Sequence, residues 1–303
     1  MTPDGLAARL ANRCPGLTVE TIAELGAGDF CVAYLVNGAT VVRVARHAEA
    51  AASLRREACL LPSIAPHIDL RIPVPDRSGL DAEPAFATYA LLPGSPLTPA
   101  QYRRLSGPER DRCVRQVAHF LAQLHATDLG VARACGVDQA AYLRPYDRLL
   151  ERAQRLINTG SLSSTVRAVV EHALAQPLPS IGRQDATSVL LHGDLSHDHI
   201  LFDARRHEIV SIIDFGDVTM GDPAWDFVYL YEEYGADFVR ACVQAYPTAE
   251  HAAFLTRVER LFVLNAVTWA VECAESGSDD LPDALLDLDA HASAPSARHR
   301  ADA

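Results

Sequence analysis

Lysine is missing from this chain: all 27 basic residues are arginine. That excludes a Walker-type P-loop, a Schiff-base lysine and a Ser–Lys dyad, each of which needs the ε-amine. Basic charge is also in short supply. The 27 basic side chains face 39 acidic ones, for a net charge of −12. A plain duplex-binding protein needs a basic footprint to neutralise phosphates, so no nucleic-acid partner is expected. No apolar run approaches the ~18 residues that would cross a bilayer, and the opening MTPDGLAARLANRCPG lacks the apolar stretch of a signal peptide. The expectation is therefore a cytoplasmic protein with no membrane partner. Cysteines number seven, and none are spaced as Cys-x-x-Cys. Neither a disulfide framework nor a zinc ribbon is expected, and most of the seven read as buried thiols in a reducing compartment. Internal repeats are absent as well.

What is present is an ordinary globular composition. The 303 residues are 49% hydrophobic and 22% charged, enough for one large domain or two moderate ones. The negative charge is concentrated. Residues 1–190 hold 20 arginines and 18 carboxylates, whereas residues 191–289 hold 5 arginines and 20 carboxylates. A local carboxylate excess attracts cations, either metal ions or cationic small molecules, although it also serves simple solubility.

Along the chain, Cys31–Val36 and Thr40–Val44 read as strands joined by Asn37-Gly38, a pair suited to the positive φ angles of a tight hairpin. A glycine-bearing turn, Leu25 to Phe30, precedes them. Ala48 to Leu61 reads as a helix, residues 71–76 as extended because of their two prolines, and Ala85 to Leu92 as a further strand. The cluster Pro93-Gly94-Ser95-Pro96 marks the clearest boundary. Beyond it the pattern is mainly helical: 108–125, 140–157, 164–176 and 251–273. Short β-like runs interrupt it at 189–191, 199–202 and 209–213. The reading is an α+β chain of two lobes, a β-rich one over 1–93 and a mainly helical one over 94–288. The tail 289–303 is expected to be disordered.

The chemistry concentrates in two places. One is His192-Gly193-Asp194-Leu195-Ser196-His197-Asp198-His199-Ile200-Leu201-Phe202-Asp203, and the other is Ile212-Ile213-Asp214-Phe215-Gly216-Asp217. Carboxylates and imidazoles that follow buried strands are held rigidly at loops. From the residues alone, three readings compete. Phosphoryl transfer would use one Asp to position a hydroxyl and another, with a neighbour, to hold Mg²⁺. A metallohydrolase would recruit His192, His197, Asp198 and His199 to zinc. A purely structural reading has these groups capping turns. The order of other parts favours the first. Gly26 and Gly28 would let backbone N–H groups approach phosphates, Arg43 lies on the strand after the hairpin, and Glu57 lies on the next helix where it could pair with Arg43.

HGDLSHDHILFD followed by IIDFGDVTMGDPAWDF resembles the aminoglycoside phosphotransferase family, which shares the protein-kinase fold. The resemblance spans roughly residues 20–275. With His199 and Tyr-Glu-Glu-Tyr-Gly (231–235) it is most similar to the branch that modifies the 2''-hydroxyl of gentamicin- and kanamycin-type drugs. Macrolide phosphotransferases also carry a histidine at the place of His199. The resemblance implies a bilobal kinase-like fold. It makes Asp194 the catalytic aspartate, and His199 and Asp214 the Mg²⁺ ligands. His192 would brace the catalytic loop, and Asp222 and Asp226 would be structural. Gly26 and Gly28 would lie over the phosphates of ATP or GTP, and Ala90, Leu91 and Leu92 would form the hinge that meets the purine. Arg43 stands where kinases commonly have lysine, and His199 where most have asparagine; both serve as branch markers.

The same resemblance places the acceptor against the helical lobe. A cationic small molecule would be drawn to carboxylates there, with Glu232, Glu233, Trp269, Glu272 and Glu275 as candidates. Other acceptors compatible with the same catalytic set are a macrolide, or choline, homoserine or a fructosamine-type sugar. Tyr89 adjoins the expected hinge, without deciding between the purines. A monomer is expected.

Overall fold

The structure is a computed structural model and describes residues 3–14, 16–138, 149–160, 162–175 and 188–293. The β-rich half begins with helix α1 (Pro3–Arg13) and continues through strands β1 (Ile22–Ala27), β2 (Cys31–Val36) and β3 (Thr40–Ala45). Helix α2 (Ala48–Ile64) follows, then β4 (Arg77–Gly79) and β5 (Phe86–Ala90). The five strands form one antiparallel sheet in the order β1-β2-β3-β5-β4. The Asn37-Gly38 turn forms as expected, with φ of 52° and 66°. Asn37 adds a reason of its own, because its Oδ1 accepts from the N–H groups of Glu20 and Thr21.

Strand alternation sorts this sheet into two apolar layers. Tyr34, Val36, Val42, Val44 and Phe86 pack with Leu6 and Leu10 of α1. Cys31, Ala45 and Ala87 pack with Ala50 and Leu54 of α2 on the other face. Arg43 lies between Val42 and Val44 in sequence, so it shares the α2 face, and the register sets it opposite Ala33 and Ala87.

The helical half comprises β6 (Ser95–Pro96), α3 (Pro99–Arg104), α4 (Gly107–His125), α5 (Leu129–Ala134), α6 (Leu149–Asn158) and α7 (Ser164–Ala175). Then come β7 (Val189–Leu191), β8 (Ile200–Asp203), β9 (Glu208–Ile212), β10 (Thr219–Gly221), α8 (Val228–Tyr234), α9 (Ala236–Ala245), α10 (His251–Ser276) and α11 (Leu281–Ser293). Two small sheets, β6-β8-β9 and β7-β10, carry the loops that hold the histidine- and aspartate-rich segments. Helix α4 starts at a capping box, with Glu109 accepting from the Ser106 N–H at 2.7 Å. Its apolar stripe of Val114, Val117, Phe120, Leu121 and Leu124 forms the centre of the main core. That core also takes in Leu60, Leu61 and Ile64 from the end of α2, so this helix spans both halves. The second half of α10 packs with α6, α7 and α11 around a separate core.

Two expectations need correction. Cys59 and Cys135 form a disulfide, with Sγ–Sγ 2.04 Å and Cα–Cα 5.4 Å. Only Cys14, Cys31, Cys113, Cys242 and Cys273 are the buried free thiols expected of most of the set. The helix α11 also continues to Ser293, past the boundary at 289 where disorder was expected. Within it Ala284 and Leu288 are buried in the second core, which is why the helix persists. Residues 294–303, like the expected helical stretch at 140–148, lie outside the described residues.

Candidate active site

Strand β7 ends at Leu191, and the chain then turns through His192 and Gly193 to present Asp194. His192 is completely buried, and burial lowers its pKa despite the nearby Asp226 carboxylate. Its Nε2 lies 3.0 Å from the Ile213 carbonyl oxygen. A carbonyl only accepts, so Nε2 carries the proton and Nδ1 is left to accept from the Asp194 N–H at 3.4 Å. Its ring packs on Phe215 at 4.7 Å between centroids. His192 therefore braces both loops at once. Gly193 has φ of +89°, and a Cβ there would lie 2.2 Å from the Asp217 carbonyl oxygen, so only glycine fits.

The backbone of this turn is clamped from below by Asp226. This carboxylate, 1% exposed, accepts the N–H groups of His192 and Gly193, both at 2.9 Å. His125 Nε2 lies 2.9 Å from the same carboxylate, and His125 Nδ1 lies 2.8 Å from the Tyr246 hydroxyl. Trp225 Nε1 donates to the Gly193 carbonyl at 3.1 Å. The structural role expected of Asp226 is thus specified atom by atom. The expected role of Asp222 takes the form of a turn cap, accepting the Ala224 N–H at 2.9 Å. His125 and Tyr246 were missed in the sequence, since a histidine in the last turn of a helix reads as an ordinary terminus.

Asp194 leaves the turn half-exposed. Burial, then the carboxylates of Asp214, Glu233 and Asp226, push its pKa up against the pull of His199. Its carbonyl oxygen accepts from the Ser196 N–H at 3.0 Å and lies 2.7 Å from His199 Nδ1. A carbonyl only accepts, so His199 Nδ1 carries a proton. Its Nε2 faces Asp214 Oδ2, 3.5 Å away.

Asp214 follows β9 with φ of +62°, a left-handed conformation that aspartate tolerates better than most residues. Its Oδ1 accepts from Arg43 Nη2 at 2.9 Å. Burial raises its pKa, but Arg43, His199, His192 and the Gly216 N–H outweigh that and hold the carboxyl below the ordinary range. Arg43 Nη1 donates to Glu57 Oε2 at 2.7 Å, the pairing anticipated from sequence, in a site where Glu57 is 4% exposed. Burial opposes the charge on Arg43, yet Glu57 and Asp214 keep it protonated. Burial pushes the Glu57 carboxyl up to about 7 against the pull of Arg43, and its Oε1 has no hydrogen-bond partner among the described residues. Ser53, which sequence reading overlooked, donates from Oγ to the Gly216 carbonyl at 2.7 Å and ties α2 to the Asp-Phe-Gly turn.

The glycines expected over the phosphates sit on an open edge. Gly26 pairs with Ala33, and nothing lies within 4 Å of where its Cβ would be. Gly28 closes the β1–β2 turn by donating to the Cys31 carbonyl at 3.0 Å. Ala90 ends β5 opposite Thr40, Leu91 donates to the Ala39 carbonyl at 2.7 Å, and Leu92 continues into the link between the two halves. Tyr89, opposite Val41, lies on the Arg43 face of the sheet, and burial raises its phenol.

Two of the acceptor candidates, Glu233 and Glu275, hold other parts of the fold together. Glu233 on α8 accepts the His197 N–H at 2.5 Å and lies 2.7 Å from His197 Nδ1, so it shapes the loop that carries Asp194 and His199. Glu275 is bound by Arg152 at 2.9 Å and Arg155 at 3.0 Å, a tie between α10 and α6. Glu232 and Glu272 are exposed, as is Trp269 at 36%, one turn from Glu272 along α10.

The histidines considered for zinc diverge. His192 bonds to Ile213 and His197 to Glu233, and no cluster of three or more His, Cys, Asp or Glu side chains forms a metal cage among the described residues. The donor set of Asp214 Oδ2 and His199 Nε2 fits a different demand. Mg²⁺ carried by a nucleotide takes one or two protein ligands and fills its remaining positions with phosphate oxygens and water.

The sequence pattern of the phosphotransferase enzyme family (APH) matches residues 28–262. A solved structure of similar fold is the GDP complex of wild-type aminoglycoside 2'-phosphotransferase-IIIa. It is 24% identical, covers 96% of this chain and 98% of its own, and has a TM-score of 0.82. Another is the streptomycin–ATP–APH(2")-IIa ternary complex, 22% identical, covering 95% and 96%, with a TM-score of 0.70. Among relatives, the Bacillus subtilis (strain 168) uncharacterized protein YcbJ is 26% identical over 199 residues, 63% of this chain and 63% of its own length. The chain thus spans less than two thirds of that relative. The expected fold class, α+β and bilobal with a protein-kinase-like arrangement, is the one observed.

Proposed function

The chain belongs to the phosphotransferase enzyme family, and from that premise we propose that it transfers the γ-phosphoryl group of ATP or GTP to a hydroxyl of a small cationic molecule, foremost an aminoglycoside antibiotic. The observation that carries this reading is the gathering of Asp194, His199 and Asp214 on two adjoining loops, with Arg43 reaching Asp214 from the sheet at 2.9 Å.

The geometry supports a role for each residue. Among the described residues the Asp194 carboxylate makes no side-chain hydrogen bond, and it lies 3.7 Å from the His199 ring, so it is available to accept the proton of an acceptor hydroxyl and aim its oxygen. Its raised pKa makes it a better base than an ordinary aspartate. Arg43, anchored by Glu57, presents a planar cation suited to two phosphate oxygens. Gly26 and Gly28 leave room for phosphates at the sheet edge, and Ala90 to Leu92 offer backbone groups to the purine. Asp214 and His199 would hold Mg²⁺, which when bound neutralises charge developing on the phosphates. Positioning and electrostatics then account for the reaction.

The lobes divide at 93/94, with the nucleotide between them and the acceptor against the helical lobe. Exposed Glu232, Glu272 and Trp269 support a cationic, ring-bearing acceptor. A monomer in the cytoplasm is the simplest setting, and no helix among the described residues is long and apolar enough to cross a membrane. A second reading, a macrolide or another small-molecule alcohol as acceptor, gains from the commitment of Glu233 to His197 and of Glu275 to two arginines. Those two carboxylates are thereby engaged within the fold. A coupled phosphorylation assay with both nucleotides, against aminoglycosides, macrolides, choline and homoserine, tests the proposal. Turnover of an aminoglycoside supports the first reading, turnover of a macrolide alone the second, and no turnover of any alcohol opposes both.

A further inference from the structure

Helix α2 carries two groups that shape the cleft, Glu57 on Arg43 and Ser53 on the Gly216 carbonyl. Two positions past Glu57 stands Cys59, joined to Cys135 across a sequence separation of 76. Cys135 caps α5 in the helical half. Just beyond it Val137 is buried in the main core, and the Asp138 carbonyl accepts from the Met220 N–H at 3.1 Å and from Thr219 Oγ1 at 3.0 Å. Those two residues belong to β10, which pairs with β7, the strand that delivers His192 and Asp194. The disulfide is therefore a second covalent crossing between the halves, besides the chain link after β5. It bears on α2 beside its cleft-facing carboxylate. Cys59 is exposed and Cys135 half-buried, in contrast to the five buried free thiols.

We propose that Cys59–Cys135 is a reversible dithiol–disulfide site that sets how firmly α2, and with it the Arg43–Glu57 pair, is held against the helical half. The functional consequence rests on the reading of Arg43 as a nucleotide-binding group. Access decides which sulfur is attacked. A thiolate of a small dithiol attacks the exposed Cys59 Sγ, the Sγ–Sγ bond breaks, and Cys135 leaves as a thiolate that takes up a proton. The second thiol of the reductant then resolves the mixed disulfide on Cys59. The protein gains two thiols, and the reductant is oxidised to its own disulfide. A small-molecule disulfide of the glutathione class reverses the sequence. In the oxidised state α2 is tethered as described here. In the reduced state it is held by its apolar contacts, the Ser53 and Arg55 hydrogen bonds and the Arg43–Glu57 pair, without the covalent tie, and Glu57 is less tightly placed.

The test uses the full chain in its oxidised and dithiothreitol-treated forms. Alkylation under native conditions is expected to label Cys59 and Cys135 only after reduction, leaving Cys14, Cys31, Cys113, Cys242 and Cys273 unlabelled. Amide hydrogen exchange over residues 48–64 is expected to quicken several-fold on reduction, the Kd for nucleotide to weaken several-fold, and oxidised glutathione to restore both. Cys59→Ser and Cys135→Ser should each behave as the reduced form whatever the redox state. A bond that resists millimolar dithiol in the folded protein overturns the proposal. So does labelling of both cysteines after mild oxidation, or α2 exchange that is the same in both states. Should either variant fail to fold, the unsubstituted protein in its two redox states decides. If nucleotide binds in neither state, the phosphotransfer reading falls, while α2 exchange still judges the redox site.

Discussion

Arg43 Nη2 lies 2.9 Å from Asp214 Oδ1, so the cation that would meet phosphate is held by the carboxylate that would face the metal. The same guanidinium spans to Glu57 at 2.7 Å, which makes one arginine the joint between sheet, helix α2 and the Asp-Phe-Gly turn. A bidentate planar group can hold both partners, whereas a lysine ammonium would meet them as a point charge. Several outcomes depend on this joint and on the loop beside it.

Replacing Arg43 with alanine leaves Glu57 buried and unpaired. Breaking a buried pair on one side costs about 3–5 kcal/mol. Since burial already pushes Glu57 up to about 7, the carboxyl will protonate and the loss will fall toward the lower end of that range. Chemical denaturation measures it, and nucleotide affinity should fall along with stability. Arg43→Lys should recover stability better than affinity.

Asp226→Ala removes the acceptor for two backbone N–H groups, that of His192 buried and that of Gly193 half-buried, and the partner of the buried His125. The expected destabilisation is about 3–5 kcal/mol, read by urea unfolding, with His125→Ala less damaging. Gly193→Ala should be as harmful by a different route, because its Cβ would collide with the Asp217 carbonyl at 2.2 Å.

Acid stability follows from His192. Its folded pKa is lowered by burial from 6.5. The unfolded chain therefore binds the proton first, and the contribution of neutral His192 is present above pH 6.5 and lost progressively as pH falls below it. Asp214 acts lower. Its folded pKa lies below 3.8, so its contribution is retained above that value and disappears only as pH drops through the folded pKa. Glu57, raised to about 7, acts in the opposite sense over the same range, so the His192 part is read as a difference: across pH 4 to 8 wild type should lose thermal stability relative to a His192→Gln variant as pH falls below 6.5.

The acid limb of turnover should belong to Asp194. Its pKa is raised, whereas that of Asp214 is lowered, so Asp194 is the first of the two to protonate as pH falls. The kcat/KM profile should therefore lose activity above the ordinary aspartate range, and a Glu233→Gln substitution, which removes one neighbouring negative charge, should move that limb to lower pH.

Much of this site was legible before any coordinates. Asn37-Gly38 declared the hairpin because few other pairs accept two positive φ angles, and once the hairpin was placed, Arg43 and Glu57 fell into order on strand and helix. His192, Asp194, His199 and Asp214 were legible because they sit at fixed distances from short apolar runs that had to be strands. What depended on distant partners stayed hidden. Nothing in the spacing of Cys59 and Cys135 pairs them, and seven cysteines permit many pairings. Glu233 and Glu275 looked free because their partners, His197 and the arginines of α6, are remote in sequence. The tail looked disordered from 289 because its low-complexity sequence gives no sign that α11, anchored upstream by the buried Ala284 and Leu288, continues to Ser293.

The most direct test of the catalytic assignment compares wild type with Asp194→Asn in one experiment, nucleotide affinity by calorimetry and phosphoryl transfer to an accepted alcohol by mass spectrometry. Loss of a positioned base costs roughly 100- to 10,000-fold in rate. The account predicts a fall of that order with folding and nucleotide affinity retained. Transfer at the wild-type rate by Asp194→Asn would contradict it.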